Sequence, residues 1–88
     1  MLEMINRLNA AIMESEEFWG YLDIKVFEDG VRKTTLTHMD FTYRHNNDSI
    51  TYYDFDSKED MKEFESMALE CINNGTLLED LRWLTYLI

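Results

Sequence analysis

The sequence predicts an α+β fold, a three-stranded antiparallel sheet with helices packed on one face, in the order α-β-β-β-α-α. Two stretches, one at the start of the chain and one after residue 57, repeat apolar residues every three or four positions, as amphipathic helices do. The segment between them alternates apolar and polar residues, as half-buried strands do, and turn-forming residues interrupt it. The chain has 88 residues, of which 45% are hydrophobic, so we expect residues 1–88 to form a single domain around one core.

The first helix is predicted from Met1 to about Phe18, because its apolar residues share one stripe of a helix. The residues of that stripe are Met1, Ile5, Leu8 and Ile12. A strand follows over residues 21–27, in which every second side chain is apolar. These apolar side chains are Leu22, Ile24 and Val26. Asp29 and Gly30 then supply the pair of positive φ angles that a tight hairpin turn requires.

The second strand is predicted to start at Val31 and to be long, because the alternation continues as far as Arg44. Residues 46–49 are Asn, Asn, Asp and Ser, which tolerate the backbone angles of turns. A third strand, rich in β-branched and aromatic residues, is expected from Ile50 to Phe55. It should pair with the second strand across this turn.

The second helix begins near residue 57, where the period of the apolar residues changes from two to about 3.6. Two N-caps are possible, Ser57 with Asp60 three residues on, or Asp56 with Glu59. In both cases a side-chain oxygen accepts a hydrogen bond from a backbone N–H of the first turn. Gly75 is suited to a left-handed residue that ends the helix.

The third helix is predicted to open at Thr76, which forms a capping box with Glu79. Its apolar side chains are numerous for so short a helix, which indicates that it is buried in the core or against a partner. These side chains are Leu77, Leu78, Leu81, Trp83, Leu84, Leu87 and Ile88.

The charge of the chain restricts its partners. There are 18 acidic and 8 basic residues, a formal net charge of −10. Direct binding to nucleic acid or to an anionic membrane is disfavoured, because those ligands require Lys and Arg side chains. A basic protein is the favoured partner, although acidity can also serve solubility alone. The single cysteine and the lack of a long apolar segment lead us to expect the cytosol.

The residues that catalysis requires are scarce, so we expect no enzyme and no catalytic residues. His38 and His45 lie seven positions apart on the long predicted strand, which places them on opposite faces. Cys71 falls on the apolar stripe of the second helix, where a cysteine usually contributes to packing. The three glycines are dispersed and form no phosphate-binding loop. No cofactor is expected.

One spacing is typical of a calcium-binding loop, since Asp54, Asp56 and Glu65 occupy its first, third and twelfth positions. The loop also requires an oxygen ligand at the fifth position and glycine at the sixth, where this chain has Lys58 and Glu59. We therefore expect no metal site.

Several local sequences resemble a known family, the small acidic phage anti-CRISPR proteins that inhibit type II-A effector nucleases by imitating PAM DNA. The similarity lies in the turn Arg44-His45-Asn46-Asn47-Asp48, the strand with Tyr52, the helix start at Ser57 and the helix end at Asn74-Gly75. The order of helices and strands is also similar. The family is densely acidic after the Asn-Gly, whereas here Thr76, Leu77 and Leu78 intervene before Glu79 and Asp80.

A second, weaker similarity is to a small anti-CRISPR protein of type I systems that binds backbone subunits of the surveillance complex. It is carried by the segment 26–30, Val-Phe-Glu-Asp-Gly, and by Asp54-Phe55-Asp56-Ser57 at the start of a helix. The two resemblances together imply a phage protein in the host bacterial cytosol. Such a protein would inhibit a CRISPR effector nuclease by occupying its basic nucleic-acid channel.

The resemblance and the acidic helix together give a candidate partner-binding set. It comprises Asn47, Asp48, Tyr53, Asp54, Asp56, Glu59, Asp60, Glu63, Glu79 and Asp80. Carboxylates in this set would pair with Lys and Arg of the channel, and Tyr53 or another exposed aromatic would anchor the contact. Two alternatives stay open: an inhibitor of a restriction or repair enzyme, and an adaptor that forms a homodimer through the C-terminal helix.

Overall fold

The computed structural model describes the backbone of residues 1–86 and the side chains of residues 1–82. It confirms the α+β fold and the order of elements predicted from the sequence. The helices and strands are α1 (Leu2–Glu14), β1 (Gly20–Val26), β2 (Arg32–Met39), β3 (Asn47–Tyr53), α2 (Lys58–Asn74) and α3 (Leu78–Tyr86). None of the helices in this part of the chain is both long and apolar enough to cross a membrane.

The three strands form an antiparallel sheet in the order β1-β2-β3, so β1 and β3 are its two edges. The register is regular, and Leu36 at the centre of β2 lies between Leu22 of β1 and Ile50 of β3. The hairpin between β1 and β2 closes with the Gly30 N–H donating to the Phe27 carbonyl at 2.9 Å. Gly30 has a φ of 89°, and Asp29 keeps a negative φ, so one positive φ angle suffices for this turn.

The helices cover one face of the sheet and enclose the core. Its fully buried members come from all layers and include Leu8 of α1, Leu36 of β2 and Ala68 of α2. The opposite face is open and polar, with cross-strand pairs of hydroxyl groups. The Oγ1 atoms of Thr35 and Thr51 are 3.2 Å apart. This face needs no cover, because its polar side chains are solvated or paired with one another.

The long second strand predicted to reach Arg44 is wrong, because β2 ends at Met39. Residues 40–46 form a compact turn, in which the Asp40 carboxylate accepts from the Thr42 N–H and Asn46 has a φ of 66°. The turn buries Tyr43, whose hydroxyl accepts from the Leu78 N–H at 2.8 Å. This contact with a residue 35 positions later holds the chain in a turn, and β3 consequently starts at residue 47.

The ends of α2 follow the local signals. Of the two possible N-caps, Ser57 is the one used, since its side chain accepts from the Asp60 N–H at 3.1 Å. Gly75 ends the helix with a φ of 71°.

The capping box predicted at Thr76 is wrong, because the Thr76 hydroxyl donates to the Glu70 carboxylate of α2 instead. Helix α3 begins two residues later, where the N–H groups of Asp80 and Leu81 donate to the Leu77 carbonyl. The side chains through which a homodimer of the C-terminal helix was predicted lie outside the described residues. They are Trp83, Leu84, Leu87 and Ile88.

Candidate partner-binding surface

The junction between β3 and α2 gathers five of the predicted site residues, here called the junction carboxylates. They are Asp54, Asp56, Glu59, Asp60 and Glu63. Two of them shape the junction itself. The Asp54 carboxylate accepts from the Arg32 N–H at 3.1 Å, and the Asp56 carboxylate accepts from the Tyr53 N–H at 2.8 Å. These bonds end the sheet and turn the chain into α2.

The other three junction carboxylates, Glu59, Asp60 and Glu63, lie on the first two turns of α2 and are exposed. None of the three forms a salt bridge with a residue in the described part of the chain. Glu59 and Glu63 are four positions apart, so their carboxylates repel each other by a few tenths of a kcal/mol. The two in the first turn, Glu59 and Asp60, lie at the positive end of the helix dipole, which offsets part of this repulsion. All three carboxylates, Glu59, Asp60 and Glu63, are therefore available to cationic side chains of a partner.

Two aromatic rings border the junction carboxylates. Tyr53 and Phe55 stack with ring centroids 5.0 Å apart and nearly parallel planes. Tyr53 is partly buried, whereas 69% of Phe55 is exposed to solvent. The hairpin turn residues Glu28 and Asp29 line the same shallow pocket as Phe55 and add two further carboxylates. Phe55, which the sequence did not place in the site, is therefore an apolar side chain set among negative charges.

The remaining predicted residues form a second group at the opposite end of β3, consisting of Asn47, Asp48, Glu79 and Asp80. Asn47 opens β3, and its side chain donates to the His45 carbonyl at 3.0 Å. Glu79 and Asp80 are exposed in the first turn of α3. A strand of seven residues separates the two groups by roughly 20 Å at about 3.3 Å per residue. Nine of the ten predicted residues thus make two clusters, and the tenth, Tyr53, borders the junction carboxylates.

Asp48 is already occupied by a basic residue of the same chain. Arg82 of α3 donates to both carboxylate oxygens of Asp48, at 2.5 and 3.3 Å. The same guanidinium donates to the Ser49 carbonyl at 2.5 Å. Arg82 therefore links α3 to the edge of β3, and a cation from a partner has to compete with it for Asp48. The sequence alone gave no sign of this pair, because its members are 34 positions apart.

A groove of about 720 Å³ runs along the edge of β3 between the two groups. Its floor includes Tyr52 and Phe64, whose ring centroids are 6.0 Å apart. Burial raises the pKa of the Tyr52 hydroxyl, so the floor is neutral. The carboxylates of Asp56, Asp60 and Glu63 line this groove, and Arg82 is the basic residue that lines it. The charged side chains that line the groove therefore carry a net negative charge.

The acidic charge is concentrated outside the sheet. Residues 54–65 contain six acidic and two basic residues. The three strands contain two acidic and three basic residues, the basic ones being Lys25, Arg32 and Lys33. The negative field of the molecule therefore originates from its helices and loops, and from the junction most of all.

Three further titratable side chains, those of His38, Tyr43 and Cys71, are buried. His38 stacks on Phe18, and its Nδ1 lies 2.8 Å from the Tyr43 hydroxyl. Burial lowers the pKa of His38 and raises the pKa of Tyr43 to about 12. Burial likewise raises the pKa of the Cys71 thiol to about 12, so the thiol is protonated and weakly nucleophilic at neutral pH.

The calcium-loop spacing brings no ligand set together. The Glu65 carboxylate accepts from Arg7 of α1, and this hydrogen bond lowers its pKa. Among the described residues, no three His, Cys, Asp or Glu side chains lie close enough to hold a metal ion.

Comparison of the chain with protein-family models, with curated proteins and with solved structures found no match.

Proposed function

We propose that this protein is a non-catalytic inhibitor of the phage anti-CRISPR type. It would bind the basic nucleic-acid channel of a CRISPR effector nuclease and block DNA recognition by acidic mimicry. The observation that supports this most directly is the density of carboxylates at the junction between β3 and α2. Glu59, Asp60 and Glu63 have no salt-bridge partner within the described residues, so they carry charge that is available to a partner.

The distribution of charge supports a directed contact over general solubility. Charge that served solubility alone would be spread over the surface, whereas here the sheet is nearly neutral and residues 54–65 are strongly acidic. A local concentration of negative charge attracts a basic channel and raises the rate of association. The junction therefore faces the channel in the proposed complex.

Phe55 provides the apolar anchor for this contact. Interfaces draw much of their binding energy from a few aromatic side chains that a surrounding ring of polar residues shields from water. Phe55 is exposed, is held in place by stacking on Tyr53, and shares a shallow pocket with Glu28 and Asp29. The sequence predicts Tyr53 or another exposed aromatic as the anchor; in this proposal Phe55 is the anchor and Tyr53 supports it.

The second group contributes a smaller share of the binding. Asn47, Glu79 and Asp80 are exposed at the far end of the β3 groove and can contact the same channel. Asp48 must exchange Arg82 for a cation of the partner, and such an exchange gains little free energy. The junction is therefore the main binding site.

The test is inhibition of DNA cleavage by purified type II-A and type I effector nucleases, with the triple variant Glu59→Gln, Asp60→Asn, Glu63→Gln. Asp56 is left intact because it holds the Tyr53 N–H. We expect roughly a tenfold to hundredfold loss of inhibition, mostly through slower association, and a weaker dependence on salt.

The matched control also removes three negative charges, but from α1 and the loop after it. It is the triple variant Glu3→Gln, Glu14→Gln, Glu16→Gln. All three residues are exposed. The control should inhibit like the wild type. If both variants lose inhibition equally, the effect comes from net charge alone. If the junction variant inhibits as well as the wild type, the junction is not part of the binding site. A restriction or repair enzyme should be assayed alongside the CRISPR nucleases, because an acidic inhibitor could bind the basic DNA channel of either class.

A further inference from the structure

Strand β1 forms a sheet edge whose outward backbone groups have no partner among the described residues. The Met39 N–H of β2 donates to the Trp19 carbonyl, and the Phe27 N–H donates to the carbonyl of Val31, just before β2. By the alternation of an antiparallel ladder, the intervening odd-numbered residues of β1 also face β2. The N–H and C=O groups of the even-numbered residues consequently point away from the sheet. These residues are Gly20, Leu22, Ile24 and Val26.

The usual devices that protect an edge are weak here. Strand β1 is seven residues long, pairs with β2 without a bulge and contains no proline. On its helix-facing side, 45% of Ile24 and 61% of Val26 are exposed, so the helices do not reach this part of the sheet. A regular edge with exposed β-branched side chains is a template for another strand.

The sequence of β1 is complementary to itself in one antiparallel register. When Ile24 is placed opposite Ile24 of a second copy, Asp23 lies opposite Lys25, and Leu22 lies opposite Val26. Registers centred on Asp23 or on Lys25 place like charges opposite each other, which is destabilising. A register centred on Leu22 leaves Lys25 and Val26 beyond the paired residues of the other strand. Only the Ile24 register pairs both the charges and the apolar residues.

The hydrogen-bonding phase of the edge agrees with this register. Ile24 has outward backbone groups, so the central pair is of the hydrogen-bonded kind, and Leu22 with Val26 forms the same kind on either side. The three pairs together make about six backbone hydrogen bonds. Asp23 and Lys25 fall in the non-hydrogen-bonded pairs, where opposing side chains approach more closely.

We propose that the β1 edge binds a second copy of this chain, with the two β1 strands antiparallel and centred on Ile24. The result is a symmetric dimer with a continuous six-stranded sheet. The interface lies at the β1 edge, which β2 separates from β3 and the junction carboxylates. This dimer is independent of the proposed inhibition.

Salt affects this contact in the opposite direction to the proposed inhibition. Each chain carries a net charge of −10, so the two chains repel each other at long range. Salt screens that repulsion, while the backbone hydrogen bonds and apolar pairs at the interface persist. Dimerisation should therefore strengthen as salt rises from about 50 mM to about 500 mM, where binding to a basic channel should weaken.

The test is sedimentation velocity on the full chain at about 500 mM salt and concentrations from about 1 µM to about 500 µM. The contact is one strand wide, so we expect a dissociation constant on the order of 10 to 100 µM. Lys25→Asp and Asp23→Lys each place like charges opposite each other, and each should weaken the dimer by roughly tenfold or more. The double variant that exchanges the two residues should restore it.

Mixing the two single variants provides the decisive measurement. Each variant should pair with itself more weakly than the wild type does, yet a mixture should form a heterodimer as strong as the wild-type dimer, because each variant then faces the opposite charge. Lys62→Asp on α2 is the control for Lys25→Asp, because it makes the same change in net charge at an exposed position on a helix. Its dimer should be as strong as that of the wild type. A wild-type chain that is monomeric at about 500 µM in high salt overturns the proposal, as does a dimer that both single variants retain.

Discussion

Strands β1 and β3 are the two edges of one sheet, and the chain protects them to different extents. At β3, Arg82 donates to the Ser49 carbonyl, Asp48 accepts from the Ser49 N–H, and Asp56 accepts from the Tyr53 N–H. At β1, no described residue bonds to the outward backbone groups. The comparison suggests that acidic side chains at β3 serve two purposes, since some complete the fold and others are left for a partner.

The difference extends to the apolar side chains that the two edges direct toward the helices. Ile50 of β3 is 9% exposed, beneath α2 and α3, whereas Ile24 of β1 is 45% exposed. The helices are therefore centred on the β3 half of the sheet. The apolar side chains of β3 are therefore part of the core, whereas Ile24 and Val26 of β1 are exposed apolar surface.

The largest expected effect compares these two isoleucines directly. Ile50→Ala should lower the free energy of unfolding by about 2 to 5 kcal/mol, because it leaves a cavity in the core. Ile24→Ala should lower it by about 1 kcal/mol or less, because that side chain is already half in water. The measurement is urea denaturation of dilute protein, near 1 µM, a concentration at which the proposed dimer would be dissociated. Equal losses would mean that the two edges are equally buried in solution.

The local parts of this fold were accessible from the sequence. The alternation of Leu22, Ile24 and Val26 predicts β1, and Ser57 and Gly75 mark the ends of α2, because each of these signals acts within a few residues. The junction carboxylates were predicted as a group for the same reason, being neighbours in sequence. Such signals are sufficient for the element order.

Two features that the sequence missed depend on contacts between distant residues. The turn that ends β2 depends on Tyr43 meeting Leu78, and the edge of β3 depends on Asp48 meeting Arg82. Neither pair has a local signature, since each spans more than thirty positions. The same limitation applies to Phe55, whose proximity to the Asp29 turn is determined by sheet pairing.

A smaller effect tests how the edge of β3 is covered. Arg82→Met keeps much of the apolar stem of the side chain but removes its hydrogen bonds to Asp48 and Ser49. We expect a loss of about 1 kcal/mol in the free energy of unfolding, since Arg82 is partly exposed and the pair is weakened by solvent.

The matched control for Arg82 is Lys25→Met at the open edge, which removes one positive charge but no hydrogen bond within the chain. Its effect on dilute protein should stay within about 0.5 kcal/mol. A loss at Lys25 as large as that at Arg82 would indicate that the β1 edge is also tied down by side chains.

The smallest effect concerns pH and the attachment of α3 to the sheet. His38 contacts Tyr43, which in turn accepts from the first N–H of α3. Burial lowers the folded-state pKa of His38, so the folded protein favours the neutral ring. Its contribution to stability is fully present above the ordinary value of about 6.5 and is lost as pH falls from there through the lower folded-state pKa. The unfolded chain takes up the proton first, and acid therefore favours unfolding.

We accordingly expect the free energy of unfolding to fall between about pH 7 and pH 5, and His38→Gln to flatten that decline. The pKa values of Asp40 and Glu65 are lowered, so these carboxylates change protonation at a more acidic pH. The decline between about pH 7 and pH 5 is therefore expected to come from His38. Hydrogen exchange over the same window should show the start of α3 losing protection before the rest of the fold does. An unchanged pH profile in the variant would assign the decline to other groups. Uniform loss of protection would mean that α3 does not open separately from the rest of the fold.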